Sequence, residues 1–522
     1  MNRKELIGNL SSNSAENWDI IIIGGGATGL GIALDGSTRG YKTLLLEQSD
    51  FAKSTSSKST KLVHGGVRYL AKGDIGLVME ALKERGLLLK NAPHITGNQE
   101  FIVPVYTWWD GLKYTVGLTL YDLLAGKLSL GKSKFICKKT VISRLPLIRP
   151  ESLKGGIVYH DGQFDDARLA IDLAKSAIDH GAIVLNYFKV TGLTKDQQGN
   201  IHGLEAIDLG TDFTYTFRSK VVINATGVFA DEIHHLDDPF SKPTLRPSQG
   251  VHIVLDTSFL NGSSALMIPE TDDGRVLFAI PWHNKVVVGT TDTPVGSILL
   301  EPVAIDSEID FILQTAGRYL TKQPVKNDIL CVFAGLRPLA VNNSNSASTK
   351  EISRRHKITI SQSGLLSIVG GKWTTYRRMA QDVLNAAIKS GKLPKKPCIT
   401  ENLSIFRPSQ NPIVNKRLMV YGEFADEIEL LANTDPSLKE TIHPELPYTK
   451  AEIVFIVRHE MPHELEDVLA RRTRTLFLDA KASLKAANTV ASIMAMELGL
   501  DEDWQKTQLE KYQILLKNYT IH

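Results

Sequence analysis

Three glycines and one acid stand where a chain would bind a dinucleotide. Gly24, Gly26 and Gly29 form a G-x-G-x-x-G run that begins as the apolar stretch Ile20 to Ile23 ends. In this pattern the glycines permit a tight turn, a close approach of backbone to a pyrophosphate, and close packing of a helix on a strand. Ala27 and Thr28 open the helix that follows, and a helix N-terminus offers N–H groups and a positive dipole end to phosphate. Glu47 closes a second apolar stretch, Thr43 to Leu46. That is about 20 residues past the glycines, where a carboxylate can accept hydrogen bonds from a ribose hydroxyl. Two later segments repeat the logic of strand then glycine: Ala225-Thr226-Gly227 after 220–224, and Gly370-Gly371-Lys372 after 365–369. A strand–helix turn with no ligand is the alternative for the first run taken alone.

A parallel α/β sheet must stand behind these residues, because short unbroken apolar runs are strands buried on both faces. After Lys372, apolar residues at Tyr376, Met379, Ala380, Val383, Leu384 and Ala387 follow helical spacing. The pieces lie hundreds of residues apart, so one nucleotide-binding domain is expected from discontinuous segments, 18–90, 155–245 and 336–395. Between them, 246–335 alternates in short strands at 251–255, 276–280 and 286–289, separated by turn signals such as Asp272-Asp273-Gly274, which reads as an antiparallel sheet. Together with 91–154 it makes an inserted substrate-binding or cap domain. Pro394 and Pro397 mark a linker, and 398–522 reads as a helical domain. There Thr449 and Glu452 are spaced as a capping box, and helical patterns run over 464–476 and 480–498. The first 17 residues read as a polar arm.

Composition excludes several classes. A chain of 522 residues needs more than one core. Sixty Lys and Arg against 57 Asp and Glu give a net charge of +3, unlike a dedicated nucleic-acid binder. Cys137, Cys331 and Cys398 are far apart with no C-x-x-C, so neither a disulfide framework nor a zinc site is expected, which fits a reducing compartment. No secretory h-region is visible, and no apolar run approaches the roughly 20 residues that span a bilayer.

The chain resembles the FAD-dependent, aerobic glycerol-3-phosphate dehydrogenases. The resemblance rests on Gly24 to Gly29, on Ser59-Thr60-Lys61-Leu62-Val63-His64-Gly65-Gly66-Val67-Arg68-Tyr69-Leu70, and on Ala225-Thr226-Gly227. Further matches are Gly289-Thr290-Thr291-Asp292, Ala334 to Leu339, Gly370 to Arg377, and Glu466 to Arg474; it spans about 18–515. Phe229 is a small departure, standing where the pattern has tryptophan. The resemblance implies a Rossmann-like, glutathione-reductase-like FAD-binding domain with the antiparallel insertion and the helical domain appended. It implies oxidation of sn-glycerol 3-phosphate to dihydroxyacetone phosphate, non-covalent FAD as hydride acceptor, and a membrane quinone as the next carrier. It also implies a cytoplasmic protein held peripherally on the inner face of the membrane, and it leaves a homodimer open.

On that reading, residues take roles. Oxidation of a secondary alcohol needs a hydride acceptor and a base for the hydroxyl proton. His252 is the candidate base, and His64 its rival, better suited to shaping the loop at the flavin. Arg68 and Arg337 lie among glycines and apolar residues with no acid nearby in sequence, so each is either paired with a distant acid or meets the substrate phosphate. Tyr69 and Thr290 are further contacts for the substrate. Lys372, at a helix start, offsets charge arriving on the flavin and stands close to the substrate. Ser59, Thr60, Gly65, Gly66, Gly371 and Thr374 complete the expected flavin contacts, whereas Ser54 to Ser57 also read as a flexible surface loop.

Trp108 to Leu124 is apolar with two tryptophans, and seven basic residues with no acid follow from Lys127 to Arg149. This is the pattern of a monotopic contact with anionic lipid, unless the tryptophans are buried. Arg471, Arg472 and Arg474 offer a second candidate surface. Three other functions compete: a glycerol-3-phosphate oxidase that passes electrons to oxygen, a non-catalytic FAD-binding protein, and a nicotinamide dehydrogenase.

Overall fold

Unbroken apolar runs fold here as the inner strands of a parallel sheet. In a computed structural model, the strands Lys357–Ile360, Leu366–Val369, Phe213–Asn224, Trp18–Ile23, Thr43–Leu46 and Ile183–Leu185 lie side by side in that order. The structure describes 1–522 except 13–16, 71–72, 272–273, 341–354, 406, 410–412, 414 and 522, and except the side chains of 11, 12 and 68. All neighbours pair in parallel except the antiparallel edge strand Lys357–Ile360. Ile20 pairs with both Val221 and Thr43, which brings the ends of three distant strands together. Helices Ala27–Thr38, Asp166–Asp179 and Tyr376–Lys389 cover the sheet, and Ile20, Ile21, Ile22, Leu44 and Leu45 have no exposed surface.

The second sheet is longer and mostly antiparallel. Its order is Thr293–Pro294, Leu245–Asp256, Lys285–Gly289, Leu277–Trp282, Ala265–Ile268, Thr96–Val105, Gly155–Phe164 and Leu62–Val63. Cys331–Ala340 pairs with Leu245–Asp256 over ten residue pairs. The two inserted segments meet where Ala265 pairs with Phe101 and Leu266 with Ile102. Gly155–Phe164, grouped by sequence with the nucleotide-binding segments, belongs to this sheet through ten pairs with Thr96–Val105.

The C-terminal helices Ala425–Thr434, Lys450–His459, Ala480–Leu498 and Glu502–Leu516 share one apolar core with Val254, Trp282, Val287 and Phe333 of the second sheet. The expected capping box is present: Thr449 Oγ1 accepts from Glu452 N–H, and the Glu452 carboxylate accepts from Thr449 N–H. Two expectations fail. The first residues are not a polar arm: Arg3–Ser12 is a helix that buries Leu6 and Leu10, and Arg3 pairs with Asp208.

The second correction concerns 464–476, which is not a regular helix but a π-turn, Asp467–Arg472, then Arg474 in the left-handed region and a short helix Thr475–Leu478. The turn points its arginines inward, so they form no membrane surface. Arg471 Nε and Arg472 NH1 each lie 2.5 Å from Asp50 Oδ2, and Arg474 Nε lies 2.7 Å from Asp165. Burial works to raise the Asp50 carboxyl, yet the two guanidiniums hold it well below the usual carboxylate range. Removing one partner leaves a buried charge uncompensated, so Asp50→Ala should cost about 3–5 kcal/mol. Chemical denaturation would check this, and a loss below about 1 kcal/mol, the scale of an exposed ion pair, would contradict it.

Candidate active site

The first sheet ends in a cradle. Gly24 follows strand Trp18–Ile23 with φ of +108°, and a Cβ on it would lie 2.8 Å from the Ala225 carbonyl oxygen. A Cβ on Gly29 would lie 1.8 Å from the Gly24 carbonyl, so the helix reaches the strand only because this residue is glycine. Glu47 ties the turn: Oε2 accepts from Gly25 N–H at 2.6 Å and Oε1 from Ser49 N–H at 2.8 Å, and burial raises its carboxyl. Ala27 N–H donates to Ser56 Oγ at 3.0 Å. Gly24, Gly26, Ala27, Thr28, Glu47, Ala225, Thr226, Gly227, Gly371 and Lys372 all line one cavity. The Thr226 hydroxyl is engaged within the turn, donating to Asn224 at 2.7 Å.

A second cavity adjoins the first. Thr55, Pro338, Gly370, Gly371, Lys372 and Trp373 line both. Its walls bring together His64, Gly66, Tyr69, His252, Thr290, Arg337 and Thr374, which come from five separate parts of the chain. His252 sits on strand Leu245–Asp256, stacked on Phe333 at 4.9 Å, with Nε2 2.9 Å from Thr60 Oγ1. Its Nδ1 is buried and has no hydrogen-bond partner among the described residues. Burial first, then the charges of Arg337 and Lys61, hold the ring pKa well below the ordinary histidine value. The imidazole is therefore neutral at physiological pH and able to accept a proton.

Arg337 meets the distant acid that its sequence allows. NH2 donates to Thr290 Oγ1 and to the Thr291 carbonyl, each at 2.9 Å, and NH1 lies 3.4 Å from Asp292. Its guanidinium is fixed in plane yet still faces the cavity. Lys372 Nζ stands 4.0 Å from the centre of the Tyr69 ring, a cation–π contact. Lys372 itself is the residue before a short turn, Trp373–Thr375, and the helix begins only at Tyr376. Thr374 Oγ1 accepts from His64 N–H at 3.2 Å. Ser59 lines the second cavity, and its hydroxyl donates to Asp166 at 2.6 Å, in a buried group where Lys61 Nζ lies 2.8 Å from the same carboxylate. Gly65 lies behind the wall, its N–H donating to the Tyr121 hydroxyl at 2.7 Å. Arg68 falls in the helical turn Val67–Leu70, and its side chain is outside the described residues. Asp161 and Arg275 line the cavity without having been singled out. Each sits in a strand or turn segment with no motif around it, so only the tertiary fold reveals them.

Comparison with known proteins matches this architecture. Residues 19–377 fit the family model described as FAD dependent oxidoreductase, and 361–505 fit the C-terminal domain of alpha-glycerophosphate oxidase. A probable mitochondrial glycerol-3-phosphate dehydrogenase of Caenorhabditis elegans is 39% identical over 540 residues, covering 98% of this chain and 74% of that protein. The human mitochondrial glycerol-3-phosphate dehydrogenase is 38% identical, over 96% of this chain and 73% of its own length. The chain belongs to the FAD-dependent glycerol-3-phosphate dehydrogenase family. A solved glycerol-3-phosphate dehydrogenase from Bacillus halodurans, complexed with FAD, superposes with a TM-score of 0.79 at 30% identity, over 99% of this chain and 97% of that one.

The family's cofactor is FAD, and this cradle fits it. The glycine turn leaves room for a pyrophosphate, Glu47 is the acid that would meet the ribose, and the two cavities join as an elongated flavin nucleotide requires. Gly29→Ala should fold but lose FAD, because the added methyl would push the helix off the Gly24 carbonyl. The flavin absorbance of the purified variant would check this, and a full complement of FAD would contradict it.

Proposed function

We propose that the chain oxidises sn-glycerol 3-phosphate to dihydroxyacetone phosphate and passes the electrons to a membrane quinone. The observation that carries this reading is the meeting of His252, Arg337 and Lys372 around one cavity that opens onto the dinucleotide cradle. FAD supplies the hydride acceptor. His252 takes the hydroxyl proton, with Thr60 aiming its ring and Nε2 shared with the incoming alcohol. Arg337 receives the phosphate. Thr290 and two backbone carbonyls hold its plane, and the Asp292 contact, the longest at 3.4 Å, is the one a dianion would displace. The resemblance adds Arg68 as a second phosphate contact. Lys372, at the junction of the cavities, offsets negative charge as hydride arrives. A carrier protein without catalysis would need none of these groups.

A second reading is favoured by one observation, the match of 361–505 to the C-terminal domain of an alpha-glycerophosphate oxidase. On that reading oxygen, not quinone, reoxidises the flavin.

The helix Trp108–Ala125 supports a membrane contact. Trp108 and Trp109 are 67% and 73% exposed, and Leu112, Val116 and Leu123 lie on the same open face. The exposed Lys113, Lys127, Lys132, Lys134, Lys138 and Lys139 lie on or close after it in the chain. Near an anionic surface each contributes on the order of 1 kcal/mol. No described helix is long and apolar enough to cross a membrane. The contact would thus be peripheral, and we place it on the cytoplasmic face.

Anaerobic glycerol 3-phosphate should bleach the flavin of the purified protein, and a quinone analogue should then reoxidise it faster than oxygen does. No bleaching would overturn the substrate, and fast peroxide formation would favour the oxidase. Because His252 is held neutral, the limiting rate of flavin reduction should keep its plateau below pH 6.5, the ordinary value for histidine. An acid limb centred at or above that value would remove His252 as the base. Arg337→Ala should raise KM about 10- to 100-fold with a smaller change in kcat, since a charged hydrogen bond contributes about 1.5–3 kcal/mol. Arg337→Lys should recover only part, because the fork is lost. Unchanged KM in Arg337→Ala would free Arg337 of this role.

A further inference from the structure

Apolar packing and a buried hydroxyl join the exposed helix to the substrate cavity. On the inner side of Trp108–Ala125, Tyr121 is 1% exposed, although Leu120 and Leu123 beside it face outward. Its oxygen accepts from Gly65 N–H at 2.7 Å and donates to Asp161 Oδ2 at 2.8 Å. Asp161 is held from its other oxygen by Arg85 NH1 at 2.9 Å, and Arg85 NH2 donates to the Leu128 carbonyl just past the helix at 3.2 Å. Burial raises the Asp161 carboxyl, and Arg85 opposes that rise. Position 65 has room only for glycine: a Cβ there would lie 2.5 Å from both the Tyr121 oxygen and Leu82 Cδ2.

The loop that Tyr121 holds reaches the chemistry. His64 and Gly66 line the substrate cavity on either side of Gly65. Gly66 lies against the Tyr69 ring, where a Cβ would come within 2.4 Å, and that ring carries the ammonium of Lys372 at 4.0 Å. A shift of the helix therefore reaches Lys372 through hydroxyl, loop and ring in contact. Core packing here transmits displacement rather than absorbing it.

We propose that Tyr121 is a positioning residue through which the surface helix sets the His64–Gly66 loop. Seating the helix on an anionic lipid surface then changes the rate of substrate oxidation. The inference rests on the substrate and the membrane contact proposed above.

The test uses the full-length, FAD-loaded protein in anaerobic stopped-flow with glycerol 3-phosphate, with and without phosphatidylglycerol–phosphatidylcholine vesicles. Tyr121→Phe removes only the oxygen. Its limiting rate of flavin reduction should fall about tenfold, as small misplacements at a reacting centre do. Its apparent substrate dissociation constant should stay within about twofold of the unsubstituted value, and its FAD content should be unchanged. Vesicles should alter the reduction rate of the unsubstituted protein and leave that of Tyr121→Phe unaltered, although both sediment with the lipid. An unchanged rate in Tyr121→Phe overturns the positioning role, as does a loss shared equally between rate and affinity. Vesicle binding without a rate response overturns the coupling. Hydrogen exchange of the unsubstituted protein gives a reading that needs no variant. The peptide containing Gly65 should exchange more slowly on vesicles, and equal exchange overturns the proposal. Failure of glycerol 3-phosphate to reduce the unsubstituted protein overturns the substrate instead, and the exchange result still judges the coupling.

Discussion

The segment from Asp50 to Lys61 is held by buried ion pairs along its length, and both cavities depend on it. Asp50 carries Arg471 and Arg472, Lys53 meets Glu466 at 2.6 Å, Lys58 meets Glu301 at 2.6 Å, and Lys61 meets Asp166 at 2.8 Å. Between these anchors, Ser54, Thr55 and Ser56 face the cradle and Thr60 aims His252. Such pairs add little net stability, because taking charges from water offsets their attraction. What they supply is place. A polar loop that would otherwise drift is fixed at once from helix Asp166–Asp179, from Glu301 of the inserted segment and from the 466–472 turn, which ties the helical domain to the site although none of its described residues lines either cavity.

This explains which parts were legible in the chain. Strands such as Ile20 to Ile23 and Thr43 to Leu46 declare themselves because burial on both faces demands unbroken apolar residues, and the glycine turn follows from sterics within a few positions. Ser54 to Ser57 looked equally like a flexible surface loop, because its anchors lie elsewhere. Arg471 and Arg472 stand 421 and 422 residues from Asp50, and in sequence a basic run with distant partners looks like a charged surface. The same distance hid the π-turn at 467–472, which exists to turn those guanidiniums inward. Arg337 was ambiguous for a like reason: its acid, Asp292, is 45 residues away, and fixing a guanidinium and offering it to an anion are not exclusive.

The cavity is biased toward anions by its cations, and its histidine is buried. Arg337, Arg275 and Lys372 line it. Burial first, then the charges of Arg337 and Lys61, lowers the His252 pKa and keeps the imidazole neutral. A base with a lowered pKa is a weaker base, so the arrangement exchanges some driving force for a protonation state that does not depend on modest pH change.

His252 also owes its place to a residue that does no chemistry. It is paired across the sheet with Gly289 on one side and Phe333 on the other. A Cβ on Gly289 would lie 2.3 Å from the imidazole, so only glycine there lets the ring lie over Phe333 and turn Nε2 to Thr60. The glycine of the Gly289-Thr290-Thr291-Asp292 motif therefore makes room for the His252 ring, while the threonine and aspartate that follow hold Arg337. One four-residue turn sets both side chains against the sheet, which binds their separation to strand geometry rather than to loop motion.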